Sequence, residues 1–344
     1  MEQTLLRPHI TERTHLGDIS VHNELAVVPI MSSTTGGPEY ITLREAFSAG
    51  GFSVAEISES GSVPNLKVIN GTGRNVLMLD GEELAGAKQN RILNTTILLP
   101  AGDSRVIPVS CTEQGRWSYS SREFSDSGYM MSRSIRSRKT ESVSESIRCC
   151  KTFVSDQGDV WDGISEFHRS HGTSSDTGAM RDAYEARRES MESYQGHFPC
   201  QDGQCGMAVL IKGRVAGIEF LSRPEAYRQV HEKLLGSYVM DIPMARAGRS
   251  APSELKVRKI LDVIMLAAEE RFPSVGMGED CRYTAEGLVG SALAVEDWCV
   301  HAAFFRADTR RQDSGRLRDY MSPMSQRRGY RTSDTLVRSG NFPE

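Results

Sequence analysis

Between residues 18 and 110 the apolar positions come in short runs, among them Leu25-Ala-Val-Val-Pro-Ile30, Leu66-Lys-Val-Ile69 and Val76-Leu-Met-Leu79, each bounded by Gly, Asn or Ser clusters. Runs of this length between turn residues predict β-strands. One helix interrupts them. Thr42 takes the N-cap place, Glu45 falls three residues later to complete a capping box, Ala46 and Phe47 give a short buried face, and Gly50-Gly51 stops it. Gly71-Thr-Gly73 and Asp80-Gly81 read as hairpin turns, because each offers a residue that takes positive φ without a steric cost. A further hairpin is expected where the strands 92–99 and 106–110 flank Pro100-Ala-Gly-Asp103. The strands are short and turn-spaced rather than separated by regular helices, which disfavours a doubly wound parallel sheet. The expected fold class is α+β, with mostly antiparallel, short-stranded sheets and packed helices in the second half.

Residues 118–147 break this pattern. They hold eleven serines together with Arg122, Arg133, Arg136, Arg138 and Lys139, and show little apolar periodicity. The stretch reads as a long mobile loop or a weak helix crossing the surface. Helical spacing returns with Val160, Trp161, Ile164 and Phe167, and again with Met180, Tyr184, Met191 and Tyr194; such stripes are packing faces rather than cofactor boxes. Strands at 207–211 and 215–220 form a hairpin around Lys212-Gly213. Ser222 is placed to cap a helix that opens at Pro224 and turns Ala226, Val230, Leu234 and Tyr238 inward. A second helix is expected over 253–271, and strands at 283–289 and 298–305 close the fold. From Arg306 to Arg331 there are eight arginines and three aspartates, which reads as a solvated, partly disordered tail. The organisation is thus a β-rich part of one large domain (1–117), a Ser/Arg-rich mobile loop (118–147), a helical and β part of the same domain (148–305) and the tail (306–344).

With 344 residues the chain can bury a proper core. Its 41 Lys+Arg against 45 Asp+Glu leave a formal charge of −4, which excludes a surface dedicated to nucleic acid. The basic tail has only Tyr320 and Tyr330 interleaved, so nucleic acid is not an expected partner. No apolar run approaches the ~18 residues of a membrane span, and the N-terminal segment lacks an apolar signal core, which together give a cytoplasmic reading without a membrane partner. The seven cysteines are scattered and odd in number, unlike a disulfide framework. Cys200-x4-Cys205 with His197 nearby lacks a second ligand couple, and His168 and His171 have no cysteine or carboxylate pair beside them, so neither metal nor cofactor is expected.

The densest polar segment runs from Asp80 to Asn94. It carries Asp80, Glu82, Glu83, Lys88, Gln89, Asn90, Arg91 and Asn94 within fifteen residues, between two strands. Such a turn can wrap an anionic or polyhydroxyl ligand, with Lys88 and Arg91 on phosphate and Gln89, Asn90 and Asn94 on hydroxyls or amides. Spacing alone favours a polar hairpin whose amides stitch the turn and whose charges face water. If 92–99 and 106–110 pair, Asn94 meets Ser110, and Glu113, Arg116 and Trp117 come beside the 88–91 turn. A Trp next to an Arg suits stacking on a ring or base, or a surface pair covering a sheet end. Two carboxylates among Glu82, Glu83 and Glu113 could share acid and base roles if they meet within reach, with Glu82 and Glu113 taken first. Cys111 has no histidine near it in this half of the chain and reads as a buried thiol.

Three blocks, Gly81-Glu-Glu-Leu-Ala-Gly-Ala-Lys-Gln-Asn-Arg-Ile-Leu-Asn94, Ile107-Pro-Val-Ser-Cys-Thr-Glu-Gln-Gly-Arg-Trp117 and Gly213-Arg-Val-Ala-Gly-Ile-Glu-Phe220 with 224–241, resemble the signature of the ARPP family. Its name marks association with ADP-ribosylglycohydrolases and rhodanese-type phosphatases, and its activity is unassigned. The resemblance spans about residues 10–305, and it implies handling of an ADP-ribose-like or other nucleotide-derived ligand. The expectation is a cytoplasmic protein that binds, and in an enzymatic version hydrolyses, a phosphate-bearing nucleotide or sugar in a polar pocket. Glu82 and Glu113 would be catalytic; Lys88, Gln89, Asn90, Arg91, Asn94, Arg116 and Trp117 would hold the ligand. The rival is a non-catalytic homo-oligomeric interaction or assembly module.

Overall fold

The computed structural model describes residues 6–32, 36–58, 64–242 and 250–307. A short helical turn (Arg7–Glu12) leads into β1 (Thr14–Leu16), β2 (Ser20–His22), β3 (Leu25–Ser32) and β4 (Ile41–Thr42), which runs into α1 (Leu43–Ala49). Next come β5 (Phe52–Glu56), β6 (Asn65–Asn70), β7 (Val76–Met78), β8 (Glu82–Gly86), β9 (Arg91–Leu93), β10 (Ile97–Leu99), β11 (Ser104–Cys111) and β12 (Phe124–Met130). Four helices follow: α2 (Arg133–Cys150), α3 (Gln157–His171), α4 (Met180–Ala186) and α5 (Arg188–His197). The described elements close with β13 (Gln204–Ile211), β14 (Arg214–Leu221), α6 (Pro224–Val239), α7 (Glu254–Met265), β15 (Ala268–Pro273), β16 (Glu279–Ala285), β17 (Leu288–Val295) and β18 (Trp298–Arg306). Among the described strands every pairing is antiparallel except that of β4 with β7, so the class is α+β. The chain up to Asp308 is one unit; the remainder, where the Arg-rich tail was expected, lies outside the described residues.

The largest sheet runs β1-β3-β13-β14-β18-β17-β16-β15, with β2 also on β3. It is apolar on both faces, and the two-residue period of a strand divides its side chains between two cores. Leu25 and Val27, Met207 and Val209, Val300 and Ala303 face one core, which α2 to α6 cover with Ile135, Ile164, Tyr184, Met191 and Leu234. Ala26 and Val28, Ala208 and Leu210, Ala302 and Phe304 face the other, covered by Val257 and Ile264 of α7 and by Leu6 and Ile10. A third core lies between a six-stranded sheet (β12-β8-β9-β11-β6-β5) and a three-stranded one (β10-β7-β4), with α1 packed beside it through Leu43 and Ala46. The Thr42–Glu45 capping box forms as expected, and so does the β13–β14 hairpin.

Several expectations are corrected, each for a tertiary reason. Gly71 to Gly73 and Asp80-Gly81 are turns, but they join strands of different sheets and make no hairpin. The run 92–99 splits: β9 pairs with β11, β10 pairs with β7, and Thr95 and Thr96 between them reach Asp280 and His301 of the large sheet. The stretch 118–147, expected as a mobile loop or a weak helix on the surface, holds β12 and most of the eighteen-residue helix α2, which is not superficial: its buried side includes Arg136, Ser137, Lys139, Thr140 and Ser144. Hydrophobic periodicity does not register a helix face built from polar groups. Ser222 does not cap α6; its hydroxyl bonds the Tyr40 hydroxyl at 2.9 Å, and Arg223 holds the cap position. The stripe 180–197 breaks into α4 and α5 at Arg187. The helix expected over 253–271 ends at Met265, because 268–273 pair with β16. The strand expected at 283–289 straddles the turn between β16 and β17.

The helix missed by periodicity carries the most demanding contacts. Arg136 and Lys139 lie three residues apart, hence on one side of α2, and neither side chain is exposed. Arg136 pairs with Glu219 of β14 at 2.7 Å, the Tyr238 hydroxyl donates to the same carboxylate at 3.0 Å, and His301 lies 3.7 Å from its second oxygen. Lys139 pairs with Asp80 and donates to the carbonyls of Leu93 and Asn94 at 3.2 and 3.1 Å. Arg136 also fills the space over Gly81, where a Cβ would stand 2.8 Å from its Cδ. Removing one partner of such a pair strands a buried charge. Arg136→Met should therefore lower the unfolding free energy by about 3–5 kcal/mol, read in urea titrations, and Arg136→Met with Glu219→Gln should regain much of the loss. A single variant within 1 kcal/mol of wild type, an energy scale typical of exposed pairs, would refute the assignment of this pair as the tie between α2 and the sheet.

Candidate functional site

The β9–β11 register, Cys111 opposite Arg91, sets the polar turn 87–90 beside the segment that leaves β11. Thr112 donates its N–H to the Asn90 carbonyl at 3.0 Å, and Ser120 donates to the Ala87 carbonyl at 2.9 Å. Arg116 stitches the two segments. Its guanidinium donates to the Glu113 carboxylate at 2.9 Å, to the Ala87 and Ser118 carbonyls at 2.7 and 3.0 Å, and to the Asn90 side-chain oxygen at 3.1 Å. Gln89 donates to the Glu113 carbonyl at 2.7 Å. Thr177, from the loop before α4, donates to the other Glu113 oxygen at 2.9 Å, and Asn90 N–H reaches the carboxylate at 3.3 Å. Above this knot the Lys88 ammonium lies 5.4 Å from the Trp117 ring centre and 5.2 Å from that of Tyr119. Both rings are about half exposed, at 51%, whereas Lys88, Asn90 and Glu113 each expose less than a tenth.

Six of the nine predicted residues thus come together: Lys88, Gln89, Asn90, Glu113, Arg116 and Trp117. Three sit elsewhere. Arg91 is fully buried against Glu56 at 3.5 Å and Gln89 at 3.1 Å, beneath the turn. Asn94 accepts from Ser110 at 2.7 Å, as the strand pairing implied, and donates to the Phe153 carbonyl at 3.0 Å, so it ties the sheet to the α2–α3 connection. Glu82 pairs with Lys233 of α6 at 2.8 Å and does not meet Glu113. Successive strand residues point to opposite faces, so the adjacent Glu83 is the one that turns toward this segment, accepting from Thr112 at 2.8 Å. The recess expected here is largely filled by the site's own side chains. Tyr119 and Thr177 were not anticipated. Tyr119 was visible only as an aromatic two places beyond Trp117, and Thr177 carried no signal, since a loop some sixty residues on delivers it.

The two carboxylates on this side are driven apart electrostatically. Burial alone would raise Glu113, but hydrogen bonds from Arg116 and Thr177 outweigh it and hold the group below the usual carboxylate range. Glu83 is completely buried, burial dominates over its hydrogen bond from Thr112, and its pKa is pushed up to about 7. One of its oxygens has no partner. Such a divided pair is the arrangement that separates an acid from a base. Burial pushes the Cys111 thiol up to about 11, so it is not a thiolate nucleophile at neutral pH. Among the described residues no group of three or more His, Cys, Asp or Glu is placed to hold a metal ion, and no helix is long and apolar enough to cross a membrane.

Among known families, ARPP-1, described as the ARG and Rhodanese-Phosphatase-superfamily-associated Protein domain, matches residues 13–305. No curated protein and no solved structure matches the chain.

Folded Glu83 keeps its proton to about pH 7, whereas the ordinary value is 4.5, so between these pH values the folded state binds more protons than the unfolded one. The stability this group contributes is complete below 4.5 and is lost as pH rises through 7. Relative to Glu83→Gln, wild type should lose stability of the order of 3 kcal/mol between these limits, measured by urea unfolding at pH 5 and pH 8. Parallel pH profiles for the two proteins would contradict the buried, protonated carboxyl.

Proposed function

The chain belongs to the ARPP-1 family, and on that premise we propose that it binds a phosphate-bearing nucleotide or ADP-ribose-like ligand, in the cytoplasm, at the surface formed by the 87–90 turn and residues 113–119. The observation that carries this reading is the Lys88 ammonium between two half-exposed rings, Trp117 and Tyr119, over a hydrogen-bonded polar floor. An aromatic base gains from stacking on such rings, and a phosphate gains from the ammonium beside them. Gln89 and Asn90 line the same turn, and their bonds to Glu113, Arg91 and Arg116 hold it in place beneath the rings. Arg116 spends its donors within the protein and serves as the brace of the site. Hydrolysis of a bond in that ligand would use the ionised Glu113 as the base that takes a proton from the attacking water, and the leaving group would take its proton from solvent, because both Glu82 and Glu83 are buried away from this surface. The family's description, which couples it with ARG and rhodanese-phosphatase proteins, supports the ligand class by association.

One observation favours the rival reading. The polar side chains fill their own recess, and two aromatic residues exposed side by side are also what a protein contact uses. On that reading the chain is a homo-oligomeric assembly module without catalysis.

Thermal unfolding with ADP-ribose, ADP and AMP at millimolar concentration separates the two. For the ligand reading ADP-ribose should raise Tm by about 2–4 °C, and Trp117→Ala and Lys88→Ala should abolish the rise with little change in the unliganded Tm. Glu113→Gln should then suppress any hydrolysis product seen by chromatography. No shift with any of the three, together with a Trp117→Ala protein whose light-scattering mass falls to that of the monomer, would discard the ligand reading in favour of assembly.

A further inference from the structure

A second candidate site lies on the α7 side of the large sheet, where α7 crosses the β13–β14 turn. A cavity of about 360 Å³ is lined there by Gly213, Arg214, Val215, Ser250, Lys256, Lys259, Ile260 and Arg306. Four of these eight residues are cationic, and none of the described lining residues is a carboxylate, in a chain whose formal charge is −4. The site is built rather than incidental. Lys256 is partly buried, and its ammonium donates to the Gly213 carbonyl at 2.8 Å, the Ala251 carbonyl at 2.7 Å and the Ser250 hydroxyl at 3.1 Å. Gly213 has φ +72°, and a Cβ there would stand 1.8 Å from the Ser250 carbonyl oxygen, so the turn and residue 250 fit only with glycine. All three acceptors of Lys256 are neutral. Its hydrogen bonds go to neutral groups, none of the described lining residues is a carboxylate that would answer its charge, and the exposed cations Arg214, Lys259 and Arg306 around it add to the same field. A half-desolvated positive field with no carboxylate among the described lining residues is what a polyvalent anion neutralises.

We infer that this cavity is a binding site for a phosphate-bearing small anion of two or more charges. Arg214, Lys259 and Arg306 supply the donors, Lys256 supplies charge from behind, and Val215 and Ile260 form an apolar wall for the remainder of the ligand. The volume lies at the lower end of small-molecule sites, which suits a diphosphate or a sugar phosphate better than a whole dinucleotide. This inference stands apart from the site at Trp117, since the two share no residue.

Calorimetric titration of the full chain with inorganic pyrophosphate and, separately, ribose 5-phosphate tests it. Saturable 1:1 binding that weakens about tenfold in Arg214→Ala with Lys259→Ala, a loss on the scale of one or two charge-assisted bonds, is the expected result, with Trp117→Ala binding as wild type does. Both substituted side chains are exposed, and circular dichroism checks that the double variant folds. Tighter ribose 5-phosphate assigns the apolar wall to the sugar, and tighter pyrophosphate assigns the site to phosphate charge alone. Binding of neither anion, binding undiminished in the double variant, or binding lost in Trp117→Ala instead would each overturn the inference.

Discussion

Two cations with no exposure, three residues apart on one helix, are the constraint around which the rest of the structure is arranged. A charge taken out of water is tolerated only where partners meet it, so Arg136 must find Glu219 and Lys139 must find Asp80, both at once. The first pairing fixes α2 against β14 of the large sheet. The second fixes it against the chain just before β8, and the Leu93 and Asn94 carbonyls that also receive Lys139 lie at the end of β9. One helix therefore ties the two sheets to each other. Thr96 bonding His301, and Thr95 meeting Asp280, continue the same seam.

That seam reaches the candidate site through covalent geometry. Asp80 is held by Lys139, and Gly81 is pressed against Arg136, so the start of β8 has one position and one pleat phase. The phase decides that Glu82 goes to Lys233 and Glu83 to Thr112. It also decides where β8 ends, and so where the 87–90 turn stands relative to Glu113. A buried ion pair remote from Trp117 is in this sense a positioning element for it, and the raised pKa of Glu83 follows from a pleat that gives the Lys233 ammonium to Glu82 and leaves Glu83 buried with Thr112.

What the sequence made legible was whatever it wrote in apolar letters or in local turns. The β13–β14 hairpin, the Thr42–Glu45 box and the α3 face were readable because strand and helix periods of Val, Ile, Leu and Phe announce a buried side. The meeting of the 87–90 turn with Glu113, Arg116 and Trp117 was readable too, because it needed only that 92 pair near 110, and Ser110 stands opposite Ile92. α2 was not, since its buried face is spelled Arg136, Ser137, Lys139, Thr140 and Ser144, residues that composition assigns to solvent. Nor was β15, whose Glu269, Glu270 and Arg271 belong to an edge strand bound through Arg271 to Glu279 rather than to a helix. The choice between Glu82 and Glu83 depends on a pleat phase that Arg136 imposes from fifty residues away, and no local pattern records it.

Charge compensation distinguishes the two candidate sites more sharply than residue type does. Around the 87–90 turn each cation is answered within the protein: Arg116 by Glu113, and Arg91 by Glu56, while Lys88 lies against aromatic faces. Little uncompensated field is left there, so selectivity at that surface must come from the shape and stacking of a ring, with one phosphate contact at most. At the α7 cavity the reverse holds. Among the described residues Lys256 is met by neutral oxygens, the other lining cations are exposed, and the lining includes neither a carboxylate nor a ring to stack on. An anion there is bound by its charge and is correspondingly sensitive to ionic strength. Two surfaces rich in basic residues therefore ask for different ligands, and the difference lies in where the carboxylates are.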